Sequence, residues 1–120
     1  LEDKITFRSG ISEEEIVNTY HDSDIAVIPS LYEGFGFGAG EAMACGIPVI
    51  ANNVGDSWRV IGDRGYKLAS CEDKTSLSKL LPNIIASLNK LPKSEIRERI
   101  KDSFSLDLMI AQYKQVYLRD

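Results

Sequence analysis

Two carboxylates, Glu33 and Glu41, stand either side of a run of glycine, phenylalanine and alanine in "PSLYEGFGFGAGEAMACG", residues 29–46. An ionised carboxylate only accepts hydrogen bonds, and two oxygens on one carbon suit a pair of vicinal hydroxyls. Between them Gly34, Gly36, Gly38 and Gly40 alternate with larger residues. Glycine lets a backbone take positive φ and approach a ligand closely. A helix starting near Gly38 to Glu41 would add unpartnered backbone N–H groups and the positive end of its dipole, a cradle for phosphate or diphosphate. A diphosphate cradle flanked by two hydroxyl acceptors fits a ligand with a sugar at each end, a nucleotide sugar. The plainer readings are a tight strand-to-helix turn for the glycines, a helix-dipole carboxylate for Glu41 and a solvated loop charge for Glu33. The run has no Gly-Lys-Ser/Thr and no GxGxxG opening a first βα unit, so neither common phosphate-loop pattern applies.

The elements that must position this loop can be read around it. "KITF", residues 4–7, has the β-branched and aromatic content of a short strand. Ser12 followed by Glu15 predicts a capping box, and Ile16, Val17 and Tyr20 give the helix it opens one apolar face. "DIAVIPS" contains a continuous apolar run, Ile25 to Ile28, ended by Pro29, as expected of a strand buried on both faces in a parallel sheet. "GEAMACG" reads as a helix of small residues stopped by Gly46, "IPVIANN" as a second buried strand, "VGDSWRVIGDRG" as a loop with a short helix and "YKLA" as a last strand. Beyond Cys71, the residues Leu77, Leu80, Leu81, Ile84, Ile85 and Leu88 form a stripe at helical period, with Pro82 predicting a kink or break inside it. Leu106, Met109, Ile110, Tyr113, Val116 and Tyr117 predict a final amphipathic helix packed on the core. Alternation of strand and helix with short connections implies an α/β fold, a Rossmann-like parallel sheet flanked by helices. Ligands of such sheets bind beyond the carboxyl ends of the strands, where the glycine loop lies.

The 120 residues suffice for one compact domain, with 43% hydrophobic and 27% charged residues. A net charge of −4 without a Lys/Arg cluster argues against a nucleic-acid surface. Cys45 and Cys71 match no metal or redox spacing and read as reduced thiols of a cytoplasmic protein. No apolar run approaches the ~20 residues a bilayer needs. The chain begins at Leu1 rather than Met, which suggests a fragment. Lys4, Arg8 and Arg59 read as surface charges, and His21 lies on the polar side of the first helix.

"DIAVIPSLYEGFGFGAGEAMACGIPVIANNVG" resembles the signature of the retaining glycosyltransferases of family 4, which have the two-domain GT-B fold. The blocks Pro-Ser-x-x-Glu-Gly-Phe-Gly, Glu-Ala-Met-Ala-Cys-Gly and x-Pro-Val are all present, with Glu33 and Glu41 forming an E-x7-E pair. "ITFRSGIS" resembles the strand and turn upstream, and "DSFSLDLMIAQYKQVY" the closing helix. The resemblance implies that Glu33 contacts hydroxyls of the transferred sugar as the catalytic residue. It places the backbone amides of Gly34, Phe35, Gly36 and Phe37 on the donor's sugar and diphosphate, Glu41 on the ribose, and the turn at Gly10 and Ile11 near the nucleobase. The partners implied are a nucleoside-diphosphate-sugar donor and a glycan or lipid-linked acceptor, with no cofactor and no metal, at the cytoplasmic face of the membrane or in the cytoplasm.

The chain also departs from that pattern. Phe37-Gly38-Ala39-Gly40 replaces a Leu-Pro-x-x segment, and Gly55-Asp56 followed by Arg59 stands where a Gly-Gly pair and a glutamate are usual. The Arg and Lys that face the diphosphate in the family, and its acceptor domain, have no counterpart here. Residues 1–120 are therefore expected to be the C-terminal half of a donor domain, inactive alone, in which residues 4–7 either pair beside "DIAVI" or leave a sheet edge for another chain or a second copy to cap. The alternatives are a non-catalytic nucleotide-sugar-binding or interaction module and, with less support from the motif, a nucleotide-sugar epimerase.

Overall fold

The structure, a computed structural model, describes residues 2–68 and 74–118; Cys71 lies outside them. Ser12 caps helix α1, Glu13–His21, through the predicted box: its Oγ accepts from the Glu15 amide at 3.2 Å, while Glu15 Oε2 accepts from the Ser12 amide at 2.8 Å. These bonds to Ser12 hold the Glu15 carboxyl below the usual glutamate range. Ser12→Ala is expected to destabilise α1 by about 1 kcal/mol, read as faster amide exchange confined to residues 13–17.

Strand β1, Ala26–Ile28, leads through the glycine loop to helix α2, Phe37–Ala44. The helix ends at Gly46, whose φ of +80° closes a Schellman turn: Gly46 N–H donates to Met43 O at 2.8 Å and Ile47 N–H to Ala42 O at 3.0 Å. Then follow β2, Val49–Asn52, short helix α3, Ser57–Ile61, and β3, Tyr66–Leu68. The three strands are parallel in the order β1-β2-β3, with Val27 opposite Ile50 and Ala51 opposite Lys67. Helices α4, Lys74–Ser87, α5, Lys93–Phe104, and α6, Leu106–Tyr117, complete the chain.

The strand period of two divides the core in two. Val49 and Ala51 point to the face covered by α2, α3 and α5, where Ala39, Ala42, Met43, Val60, Ile61 and Ile96 are also buried. Ile50 and Leu68 point to the other face, under Ile84, Leu77, Leu80 and Leu81 of α4. That packing carries α4 through Pro82 without the expected break, although Ile85 faces solvent.

Three expectations need correction. Residues 4–7 form no strand: Glu2–Lys4 is a 3-10 turn, Ile5 is exposed and Phe7 is 93% exposed. Strand preference is largely a preference for a pleated, half-covered surface, and no sheet surface lies under these side chains. Consequently β1 pairs only with β2 among the described strands and is half-buried rather than buried on both faces. The α6 stripe is not core: Leu106, Met109, Ile110, Tyr113, Val116 and Tyr117 are all exposed. Helix α5, not anticipated, fills the place expected of α6, burying Ile96 and half-burying Ile100 and Phe104.

Candidate functional site

The loop from Pro29 to Gly36 leaves the carboxyl end of β1 and turns directly into the amino end of α2. Gly36 occupies the N-cap at φ +91°, a left-handed conformation that costs an L-residue roughly 1–2 kcal/mol. It is also buried against α3, where a Cβ would lie 3.2 Å from Ser57 Oγ. Gly36 O accepts from Gly40 N–H at 3.1 Å, which leaves the amides of Phe37, Gly38 and Ala39 as the free N–H groups of the first turn. Tyr20 Oη–H, reaching across from α1, donates to Gly38 O at 3.3 Å.

Glu33 is half-buried and its Oε1 accepts from Ser30 Oγ–H at 2.8 Å, so one oxygen is oriented and the carboxylate retains further acceptor capacity. Ser30 is itself anchored from β2, since Asn52 Nδ2 donates to Ser30 O at 3.1 Å. The next loop clasps the backbone beside Glu33: Asp56 N–H donates to Gly34 O at 3.0 Å, and Gly55 turns at φ +51° against the carbonyls of Glu33 and Gly34.

Glu41 is exposed on the second turn of α2, about 6 Å along the axis from Phe37. It borders a cavity of about 390 Å³ between α1 and α2, with Ile16, Val17, Tyr20, Ala44 and Cys45. Burial first, then the neighbouring Glu41 and Cys45, pushes the Tyr20 phenol above its ordinary value, so it remains a donor at neutral pH. Gly34 and Phe37 are exposed and Phe35 half-buried. Gly10, at φ +63°, and Ile11 form the entry to α1 and lie outside the glycine loop.

Arg59 is exposed, as read from sequence, but it is also engaged: its Nη2 donates to Asp56 Oδ2 at 2.6 Å and its guanidinium lies over the rings of Phe35 and Phe104. The Arg59 bond holds the Asp56 carboxyl below its usual range. Ser30, Asn52 and Phe104 were also missed as supports of the site. Only the Ser30–Glu33 spacing of three residues offered a sequence signal for them. Among the described residues no group of three or more potential metal ligands comes together, and no helix is long and apolar enough to cross a membrane.

The sequence profile of the glycosyl transferases group 1 family matches residues 1–102. The chain belongs to that family. This chain is 34% identical, over 98% of its length, to MMP alpha-(1->4)-mannosyltransferase of Mycolicibacterium hassiacum, covering 29% of that protein. It is 30% identical over 96% of its length to D-inositol 3-phosphate glycosyltransferase of Mycolicibacterium smegmatis, covering 27% of it. Among solved structures, sucrose-phosphate synthase from Thermosynechococcus elongatus matches 96% of this chain and 30% of its own with a TM-score of 0.82 at 33% identity. The chain thus spans less than a third of the length of each of these relatives. The likeness to the synthase agrees with a Rossmann-like fragment of the GT-B fold.

Proposed function

We propose that residues 1–120 are part of a retaining, family 4 glycosyltransferase that moves a hexosyl group from a nucleoside-diphosphate sugar to an acceptor hydroxyl. In this reading they form half of the donor domain, and the acceptor domain lies outside the chain. The observation that carries the reading is the loop itself. An oriented, half-buried Glu33 stands at the carboxyl end of β1, and the chain then enters α2 through a left-handed Gly36, with free first-turn amides and Glu41 one turn further on. Glu33 would accept from hydroxyls of the transferred sugar. The amides of residues 34–37 would bind the sugar and diphosphate, offsetting charge on the leaving group. Glu41 would hold the ribose hydroxyls, and Gly10 and Ile11 would border the base. The two relatives that match nearly the whole chain are named as a mannosyltransferase and a glycosyltransferase, which supports the class of reaction.

The test is calorimetric titration of the full-length parent protein with a panel of nucleoside-diphosphate sugars, followed by determination of the product anomer. Glu41→Ala should weaken donor binding by about 1–3 kcal/mol, the value of hydrogen bonds to a charged group. Glu33→Gln should lower turnover more than donor affinity. Unchanged donor affinity in Glu41→Ala would count against the ribose assignment, and an inverted anomer against retention.

A further inference from the structure

The segment after β2 touches the glycine loop at three successive points. Asp56 N–H bonds to Gly34 O at 3.0 Å, the Cα and side chain of Ser57 back Gly36, and Arg59 covers Phe35, the residue between those two glycines. The guanidinium carbon of Arg59 lies 5.6 Å from the centre of the Phe35 ring and 5.1 Å from that of Phe104 at the end of α5. The two rings meet edge to face at 5.4 Å, and Phe35 also meets Phe37 at 5.1 Å. Arg99 of α5 closes the arrangement from behind by donating to the carbonyls of Arg59 and Val60.

The side chain of Arg59 is 57% exposed, so it adds little to the buried core. It is nonetheless directed on two sides, by the bond to Asp56 and by the ring faces. A cation over an aromatic face is attracted by the ring quadrupole, and the planar fork of arginine stacks in a way lysine cannot. The rigid peptide planes on either side of Phe35 carry the amides of Phe35 and Gly36, so fixing this residue limits how those two amides can turn. Two glycines beside it would otherwise leave those amides broadly free.

We propose that Arg59 is a positioning residue for the donor loop: steered by Asp56, it clamps Phe35 against Phe104 and thereby sets the direction of the amides of Phe35 and Gly36. The inference rests on the reading of that loop as the diphosphate cradle. Arg59 stands where the resemblance leads one to expect a glutamate, so the clamp is a feature of this chain and follows from no general property of the family. It also acts beside an entry to α2 that has no proline in Phe37-Gly38-Ala39-Gly40.

The experiment measures donor KM, kcat and thermal midpoint in the full-length parent for Arg59→Ala, Arg59→Lys, Phe35→Leu and the double variant Arg59→Ala/Phe35→Leu, beside Glu41→Ala. Loss of the clamp should raise donor KM about fivefold in Arg59→Ala, the scale of a cation–π contact converted to affinity. The midpoint should stay close to wild type, and lysine should restore only part of the loss. Because Arg59 acts through Phe35, the double variant should bind donor no worse than Phe35→Leu alone, within about twofold. A purely structural role predicts lowered midpoints with unchanged donor KM; that result, or multiplicative effects of the two substitutions, overturns the clamp. If Glu41→Ala weakens the donor and Arg59→Ala does not, the clamp fails and the site reading stands. If neither weakens it, both fail.

Discussion

Gly55→Ala should cripple donor binding and turnover together, with a loss on the order of 10²-fold in kcat/KM, the scale expected when a reacting group is displaced by about 1 Å. Gly55 turns at φ +51°, and a Cβ there would overlap the carbonyl oxygens of Glu33 and Gly34 and the carbonyl carbon of Glu33. These are backbone atoms and cannot swing away as a side-chain tip could. The loop carrying Glu33 or the clasp made by Asp56 N–H on Gly34 O must therefore move. Left-handed strain and the lost hydrogen bond together predict a destabilisation of about 2–4 kcal/mol. Gly10→Ala separates strain from collision. Gly10 has a similar φ of +63°, but a methyl group there would meet nothing within 4 Å. That variant should lose only the conformational cost, about 1–2 kcal/mol. Steady-state kinetics of the full-length parent and urea unfolding check both, and equal losses in the two variants would remove collision as the cause.

The second large effect concerns the platform under Glu41. Met43 is wholly buried on α2, among Ala39, Ala42, Val60, Ile61 and Ile96. Met43→Ala should destabilise the chain by about 2–5 kcal/mol, the range for emptying a large buried side chain whose surroundings relax only in part. A domain of this size has about 5–15 kcal/mol in all, so the variant should show a plainly lowered urea midpoint. Val17→Ala is the control: Val17 lies on α1 and is 42% exposed, and should lose less than about 1 kcal/mol. Similar midpoints for the two variants would mean that α2 is not the keystone between sheet and α5 that its burial indicates.

The parts of the fold legible in the sequence are those set by neighbours in the chain. Ser12 and Glu15 are three residues apart, and their box forms because both partners lie within one turn. Gly46 and Ile47 close α2 through bonds back to Met43 and Ala42, all within one turn. The apolar run of β2 fits a strand covered by helices on both faces, Val49 and Ala51 on one side and Ile50 on the other. The loop was legible for the same reason, since alternating glycines and the entry to a helix are local facts. Glu33 within it has its orienting partner Ser30 three residues away as well.

The errors fall where the outcome depends on what stands opposite. Residues 4–7 and the α6 stripe carry strand and helix patterns, yet Phe7 and Tyr117 are exposed because no surface meets them in this chain. Arg59 is the exposed charge expected, but its ring contacts were not legible because Phe35 and Phe104 are 24 and 45 residues away. Taken alone, the sequence determined the α/β class, the cap of α1, the stop of α2, and a glycine turn bounded by two carboxylates. Tertiary structure decided that α5 rather than α6 covers α2, that Asn52 and Gly55 brace the backbone around Glu33, and that Arg59 presses on Phe35. The physical reason is one of range. Hydrogen bonds and φ preferences act within a turn or two of chain, whereas burial and stacking exist only once distant segments are folded against each other.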